Sequence, residues 1–172
     1  MLDLTCVNWD YTSNKSKNKY LYKFFNLYKD MSIDMSFYNK AIRISDIDDF
    51  ESELYLRKVY KSKILLYFKE DELVAYAIIS PDTKNSSRYW LDELFISKMY
   101  RHRGYGSCIL KSIISVLKKN KYKELFLQVS EYNKIAKHLY EKNGFVRYLD
   151  LKKLDLEYLT FINQRVYFVN LS

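Results

Sequence analysis

Arg101-His102-Arg103-Gly104-Tyr105-Gly106-Ser107 is the segment of this chain whose residue types and spacing could do chemistry. Without side chains at 104 and 106 the backbone can turn tightly and approach a ligand, so that successive N–H groups point at a pyrophosphate. Arg101 and Arg103 add positive charge at the same point. A strand-like run, Tyr89 to Ser97, precedes the segment. After it, Ile109, Leu110, Ile113, Ile114, Val116 and Leu117 form an apolar stripe that predicts a helix over Ser107 to Lys119. A helix that starts at the glycines aims its positive N-terminal end at the same anion. Two common phosphate binders are excluded: Ser follows Gly106 where a P-loop needs Lys, and Ile109 stands where the dinucleotide fingerprint needs a third Gly.

A second pattern lies downstream. Leu127-Gln128-Val129, then Asn133, Ala136, Leu139-Tyr140 and Gly144-Phe145 read as a strand, a capped helix and a glycine stop. Together with Arg-x-x-Gly-x-Gly, this resembles the GNAT superfamily of N-acetyltransferases over roughly Lys63 to Phe145. The resemblance implies acetyl-CoA as co-substrate; no metal is expected, because no His or Cys has metal-spaced partners. It implies that the Arg103 to Ser107 amides hold the pyrophosphate, with Arg101 and His102 in the same loop and Gly104, Tyr105 and Gly106 at its centre. The backbone of Leu94, Phe95 and Ile96 would pair with the pantetheine arm, and Asn133 would contact the cofactor. Two parallel strands, around Leu94 to Ile96 and Leu127 to Val129, would splay to admit it.

An amine attacks a thioester only as the free base, the oxyanion formed needs stabilisation, and the thiolate leaves more easily if a proton is delivered. Tyr140 matches the tyrosine that lies near the sulfur in the family. Its other reading is a core tyrosine in a chain with 18 of them. Asp92 and Glu93 sit where several family members carry a basic carboxylate. Neighbours on a strand face opposite ways, and parity relative to Leu94 favours Asp92 as base, with Glu93 as an aid or a surface charge. The ribosomal-protein acetylating branch carries Glu where this chain has Gln128. An amide cannot act as a base, so that branch's mechanism and substrate are not carried over, and water alone stays open as the base. His102 and His138 have no metal-spaced partners, and Cys108 reads as a small apolar filler.

The elements that must position these residues fit an α/β fold. A chain of 172 residues with 48% hydrophobic and 29% charged residues suits one domain, and 3 Gly and 1 Pro leave little for linkers. Strands are predicted at Leu2 to Val7, Lys63 to Phe68, Leu73 to Ser80, Tyr89 to Ser97, Leu125 to Val129, Phe145 to Leu151 and Arg165 to Leu171. Further helices are predicted at Tyr20 to Met31 with Asn18 as cap, at about Asp46 to Tyr60 with Ser45 or Asp46 as cap, and after Asn133. Tyr11 to Lys19 and Pro81 to Arg88 read as loops. The expectation is a single GNAT-like domain with a mixed, mostly antiparallel sheet of about seven strands, two helices on each face and a splayed central pair. Residues 1–62 would form the acceptor side, 63–145 the acetyl-CoA core and 146–172 the C-terminal strands.

The net charge of +8 favours anionic partners in general. Cys6 and Cys108 lie far apart outside any metal pattern and read as reduced core thiols. With no stretch of apolar residues long enough for a membrane span and no basic leader, a cytoplasmic protein is expected, with no membrane partner and a homodimer allowed. The acceptor reads as a small primary amine, with a protein amine or aminoacyl-tRNA as the alternative. A polycationic acceptor would need carboxylates such as Asp46, Asp48, Asp49, Asp92 and Glu93 at its site. Lys15, Lys17, Lys19, Lys23 and Lys29 interleave with Tyr20, Tyr22 and Phe24, a pattern open to a non-catalytic nucleic-acid module. It is more simply an amphipathic helix.

Overall fold

The computed structural model describes residues 3–11, 14–35, 44, 46–150, 154 and 163–172, with residues 14–18 and Met35 described by their backbone alone. The strands are β1 (Thr5–Trp9), β2 (Lys63–Lys69), β3 (Glu72–Pro81), β4 (Arg88–Ile96), β5 (Glu124–Ser130), β6 (Val146–Arg147) and β7 (Gln164–Asn170). The helices are α1 (Asn14–Met35), α2 (Ile47–Val59), α3 (Tyr105–Lys119) and α4 (Lys134–Lys142). They form an α/β fold whose seven-stranded sheet has the order β1-β2-β3-β4-β5-β7-β6. β4 and β5 pair parallel, whereas β1/β2, β2/β3, β5/β7 and β6/β7 pair antiparallel. By contact density the chain divides into two compact units, Met1–Ser80 with Glu93–Tyr105, and Pro81–Asp92 with Gly106–Ser172.

In the first unit, α1 buries Leu21, Phe24, Leu27, Tyr28 and Met31 at helical spacing and leaves Lys23 and Lys29 exposed. Phe24 is the hub of an aromatic cluster, with its ring centroid 4.9 Å from Tyr76, 5.2 Å from Phe50 and 5.5 Å from Trp9. Tyr20 packs on Phe68 and Trp9. Tyr20 and Phe24 therefore serve the core, which removes two of the rings a base-stacking surface needs. Asp46 caps α2 by accepting from the Asp48 and Asp49 amides at 3.1 and 2.9 Å, and Arg57 and Lys58 occupy the last turn. β3 is buried continuously from Leu73 to Ile79, as a strand covered on both faces must be.

In the second unit, α3 buries Ile109, Leu110, Ile113 and Leu117. β5 and β7 pair over their full length, from Glu124↔Asn170 to Ser130↔Gln164. Arg88 donates to the Glu124 carboxylate from Nε and a terminal nitrogen, at 3.1 and 2.9 Å, at the start of the parallel ladder.

Several sequence expectations are corrected. α1 begins at Asn14, so Asn18 lies inside the helix and the expected loop from Tyr11 to Lys19 is largely helical; its polar residues extend a helix anchored by the aromatic face further on. Cys6 is exposed rather than a core thiol, and Cys108 is half-buried. Val116, expected on the buried stripe, is exposed. The strand expected from Phe145 to Leu151 is regular only at Val146–Arg147, and Leu151 lies outside the described residues, as do Leu2 at the start of the first predicted strand and Ser45, the alternative cap of α2.

Candidate active site

The glycine segment is a loop that ends directly in α3. A turn of 3-10 helix at Lys98–Tyr100 brings the chain off β4. His102 at φ 60° and Gly104 at φ 82° then take left-handed conformations two residues apart. Gly104 does so without strain, and an alternation of this kind turns neighbouring N–H groups towards one side, as in anion-binding nests. The first turn of α3 starts at Tyr105, so the amides of Tyr105, Gly106 and Ser107 have no intrahelical acceptor. The local geometry is that of an anion cradle.

The two arginines of the segment differ. Arg101 donates from Nε to the Ile96 carbonyl at 2.9 Å, pairs with the Asp34 carboxylate and lies 5.1 Å over the Phe95 ring. Asp34 also pairs with Lys98 at 2.7 Å. Burial works to raise the Asp34 carboxyl, but the hydrogen bonds and charges of Lys98 and Arg101 outweigh it and hold the group below the usual carboxylate range. Arg101 thus positions the loop against Phe95 and Ile96 and spends its charge in doing so. Arg103 is exposed, stacks 5.6 Å over Tyr100 and has no carboxylate partner among the described residues, so its charge is available to an anion. His102 is exposed as well.

On α4, Asn133 is the cap, its side-chain oxygen accepting from the Ala136 amide at 3.1 Å. At the other end Gly144, at φ 87°, terminates the helix while the Phe145 amide returns to the Tyr140 carbonyl at 3.1 Å. Asn143 donates from Nδ2 to Ser107 Oγ at 3.0 Å and to the Leu139 carbonyl at 2.7 Å, which ties this helix to the first turn of α3. Tyr140 is buried against Phe145, ring centroids 5.7 Å apart, and its hydroxyl makes no hydrogen bond among the described residues. Burial pushes its phenol up to about 12, so it stays a protonated donor across the neutral range.

The acidic pair on β4 separates as strand alternation requires. Asp92 is exposed. Glu93 is turned inward, with 15% of its side chain accessible, and accepts from Arg57 at 2.5 Å, from the Tyr28 hydroxyl at 3.2 Å and from the Tyr76 hydroxyl at 3.0 Å. Glu93 is therefore no surface charge. Its carboxyl is raised because burial outweighs the favourable Arg57 charge and the two phenol donors. The parallel ladder of β4 and β5 runs from Arg88↔Glu124 to Leu91↔Leu127 and ends there, although β4 continues to Ile96 and β5 to Ser130. The backbone of Leu94, Phe95 and Ile96 thus lies beyond the last parallel pair.

The partners of these groups escaped the sequence reading. Arg57, Tyr28 and Tyr76 around Glu93, Asp34 on Arg101 and Asn143 on Ser107 all meet their targets across long stretches of chain. Glu53 and Arg57, four residues apart and paired at 2.7 Å, were legible as a helix pair, but nothing in the sequence placed them beside Glu93. Among the described residues no group of side chains could hold a metal ion, and no helix is long and apolar enough to cross a membrane.

Residues 24–145 match the sequence profile of the acetyltransferase (GNAT) family, and this chain belongs to that family. A Bacillus subtilis subsp. natto protein named as a probable spermine N(1)-acetyltransferase is 37% identical over 93 residues, covering 50% of this chain and 60% of the relative. The chain thus spans about 60% of the length of the curated relatives it first matches. A Bacillus subtilis protein named as an uncharacterized N-acetyltransferase is 30% identical over 125 residues, covering 70% of this chain and 78% of the relative. Among solved structures, a spermidine N-acetyltransferase chimera from Vibrio cholerae and hSSAT superposes with a TM-score of 0.72 at 17% identity, covering 98% of this chain and 95% of the other. A Thermoplasma acidophilum N-acetyltransferase in complex with coenzyme A superposes with a TM-score of 0.68 at 16% identity, covering 98% of this chain and 99% of the other. At such identities the two structures establish a common fold.

Proposed function

We propose that this protein is an acetyl-CoA-dependent N-acetyltransferase that acetylates a small primary amine by direct attack, without a covalent enzyme intermediate. The observation that carries the reading is the loop at the start of α3: left-handed His102 and Gly104, first-turn amides without intrahelical acceptors and the charge of Arg103, which has no carboxylate partner among the described residues, in a chain of this family. Acetyl-CoA supplies an activated thioester. The amides from Arg103 to Ser107 bind its pyrophosphate, and the Leu94 to Ile96 backbone, past the end of the parallel ladder, offers hydrogen bonds to an extended pantetheine arm. Asn133 keeps an amide nitrogen for the cofactor while its oxygen caps α4.

The Tyr140 hydroxyl, protonated and without an acceptor among the described residues, donates to the leaving sulfur. Glu93 takes the proton of the attacking amine. Its inward position and raised carboxyl fit that task better than the exposed Asp92, which strand parity had favoured. Residues 1–62 form the acceptor side, to which α1 and α2 contribute Tyr28, Glu53 and Arg57. The names of the relatives point to a polyamine as the acceptor to test first. The test is release of free thiol from acetyl-CoA with a panel of amines: spermidine, spermine, an amino sugar and an amino acid. Turnover with at least one small amine is expected. Thiol release that no amine stimulates contradicts the reading.

A further inference from the structure

Arg57 is the most enclosed cation beside Glu93, and its surroundings are those of a bound ammonium. One terminal nitrogen of its guanidinium lies 2.7 Å from Glu53 and 2.5 Å from Glu93, so two carboxylates from different elements converge on a single positive group. Two phenols complete the enclosure. Tyr28 and Tyr76 stack on each other with centroids 5.7 Å apart and donate to the two oxygens of Glu93. The Arg57 side chain is 18% accessible and reaches this position from the last turn of α2, so it can withdraw without disturbing the strands. Glu93, Tyr28 and Tyr76 sit on β4, α1 and β3 and cannot follow it.

We propose that Arg57 is a resident counter-ion of the acceptor subsite: its guanidinium occupies the place, between the carboxylates of Glu53 and Glu93, that a cationic acceptor takes when it binds. The inference rests on the acceptor side proposed above and adds its recognition chemistry. Two carboxylates and two phenols select a primary ammonium over a neutral or anionic compound, because their charge is unbalanced once Arg57 leaves. Arg57 in turn sets the acceptor concentration the protein answers to, since every ammonium that enters must displace it. It also reconciles a net charge of +8 with a cationic acceptor: the attraction is local, and the resident cation offsets one of the two carboxylate charges when no acceptor is bound.

The test uses Arg57→Met, which keeps the length of the side chain and removes its charge. Spermidine is titrated calorimetrically into the protein alone, at pH 8.5 because loss of the cation raises the Glu93 carboxyl further. Tighter binding than wild type, by about threefold or more, is expected, and steady-state kinetics should show a matching fall in KM for spermidine with KM for acetyl-CoA unchanged. The acid limb of the pH profile should move upward, because the groups left facing Glu93 are the carboxylate of Glu53 and the phenols of Tyr28 and Tyr76. Unchanged or weaker spermidine binding in a folded Arg57→Met protein overturns the proposal. Should that variant fail to fold, Glu53→Gln decides: spermidine binding weakened about threefold or more supports the subsite, and unchanged binding overturns it. The titration reads binding without turnover, so failure of the acetyltransferase reading shows separately, as absent thiol release in a protein that binds the amine.

Discussion

Asn143 donates a hydrogen bond of 3.0 Å to the hydroxyl of Ser107, joining the C-terminal cap of one signature helix to the first turn of the other. Ser107 is part of the proposed pyrophosphate cradle, and Asn143 also holds the Leu139 carbonyl at 2.7 Å, one residue before Tyr140. The contact couples the loop proposed to bind the cofactor to the helix that carries the proposed acid. Asn143→Ala removes both bonds and should cost about 1 kcal/mol of stability. It should also weaken acetyl-CoA binding several-fold, and calorimetry on wild type and variant checks both effects. Binding unchanged within error would make the contact purely structural.

Tyr140→Phe separates chemistry from stability. The hydroxyl has no partner among the described residues, so its removal should change stability by less than about 0.5 kcal/mol. General acid catalysis contributes about 10²–10⁴-fold, and kcat should fall within that range. Stopped assays of thiol release together with a thermal melt measure the two. Equal rates in the two proteins would remove Tyr140 from the reaction.

Glu93→Gln and Asp92→Asn form a matched pair. The buried Glu93 should account for most of the loss, with kcat/KM reduced about 10²–10⁴-fold, while exposed Asp92 should matter less than about threefold. Since burial raises the Glu93 carboxyl above its ordinary 4.5, wild-type activity should fall as pH drops through that raised value. The pH profile of kcat/KM reads this limb. A larger loss with Asp92→Asn would restore the assignment that strand parity suggested.

The Asp34 carboxyl is held low in the folded protein, so its pairing with Lys98 and Arg101 stabilises the fold above the unfolded value of 3.8 and is lost as pH falls through the lower folded value. Asp34→Asn should therefore cost about 1 kcal/mol near pH 7, with Lys98 screened by solvent, and the gap to wild type should close in strong acid. Urea denaturation at several pH values checks the sign. A gap that widens on acidification would mean that the carboxyl is not held low.

Local chemistry was legible in the sequence where residues act through their neighbours. The glycine stop at Gly144, a cap of α2 at Ser45 or Asp46, and the strands at Lys63 to Phe68 and Leu73 to Ser80 all follow from short-range backbone rules; in the structure Gly144 ends α4, Asp46 caps α2, and the two strands stand as β2 and β3. Residues that act across the fold were not legible. Glu93 and Asp92 are adjacent, and strand alternation says only that they diverge; which one turns inward is decided by Tyr28, Tyr76 and Arg57, between 17 and 65 positions away. The pairing of Arg101 with Asp34 was hidden because the two lie 67 positions apart. The start of α1 was missed for a different reason: Asn14 to Lys19 lacks an apolar stripe, and its helix is propagated from the aromatic face beyond it.

Calorimetric titration of acetyl-CoA into the wild-type protein at modest ionic strength, repeated with Gly104→Ala, tests the central claim most directly. Saturable one-to-one binding is expected, weakening as salt is raised, and falling about tenfold in the variant because alanine at φ 82° strains the cradle by about 1–2 kcal/mol. A well-folded wild-type protein that gives no saturable heat with acetyl-CoA would contradict the account.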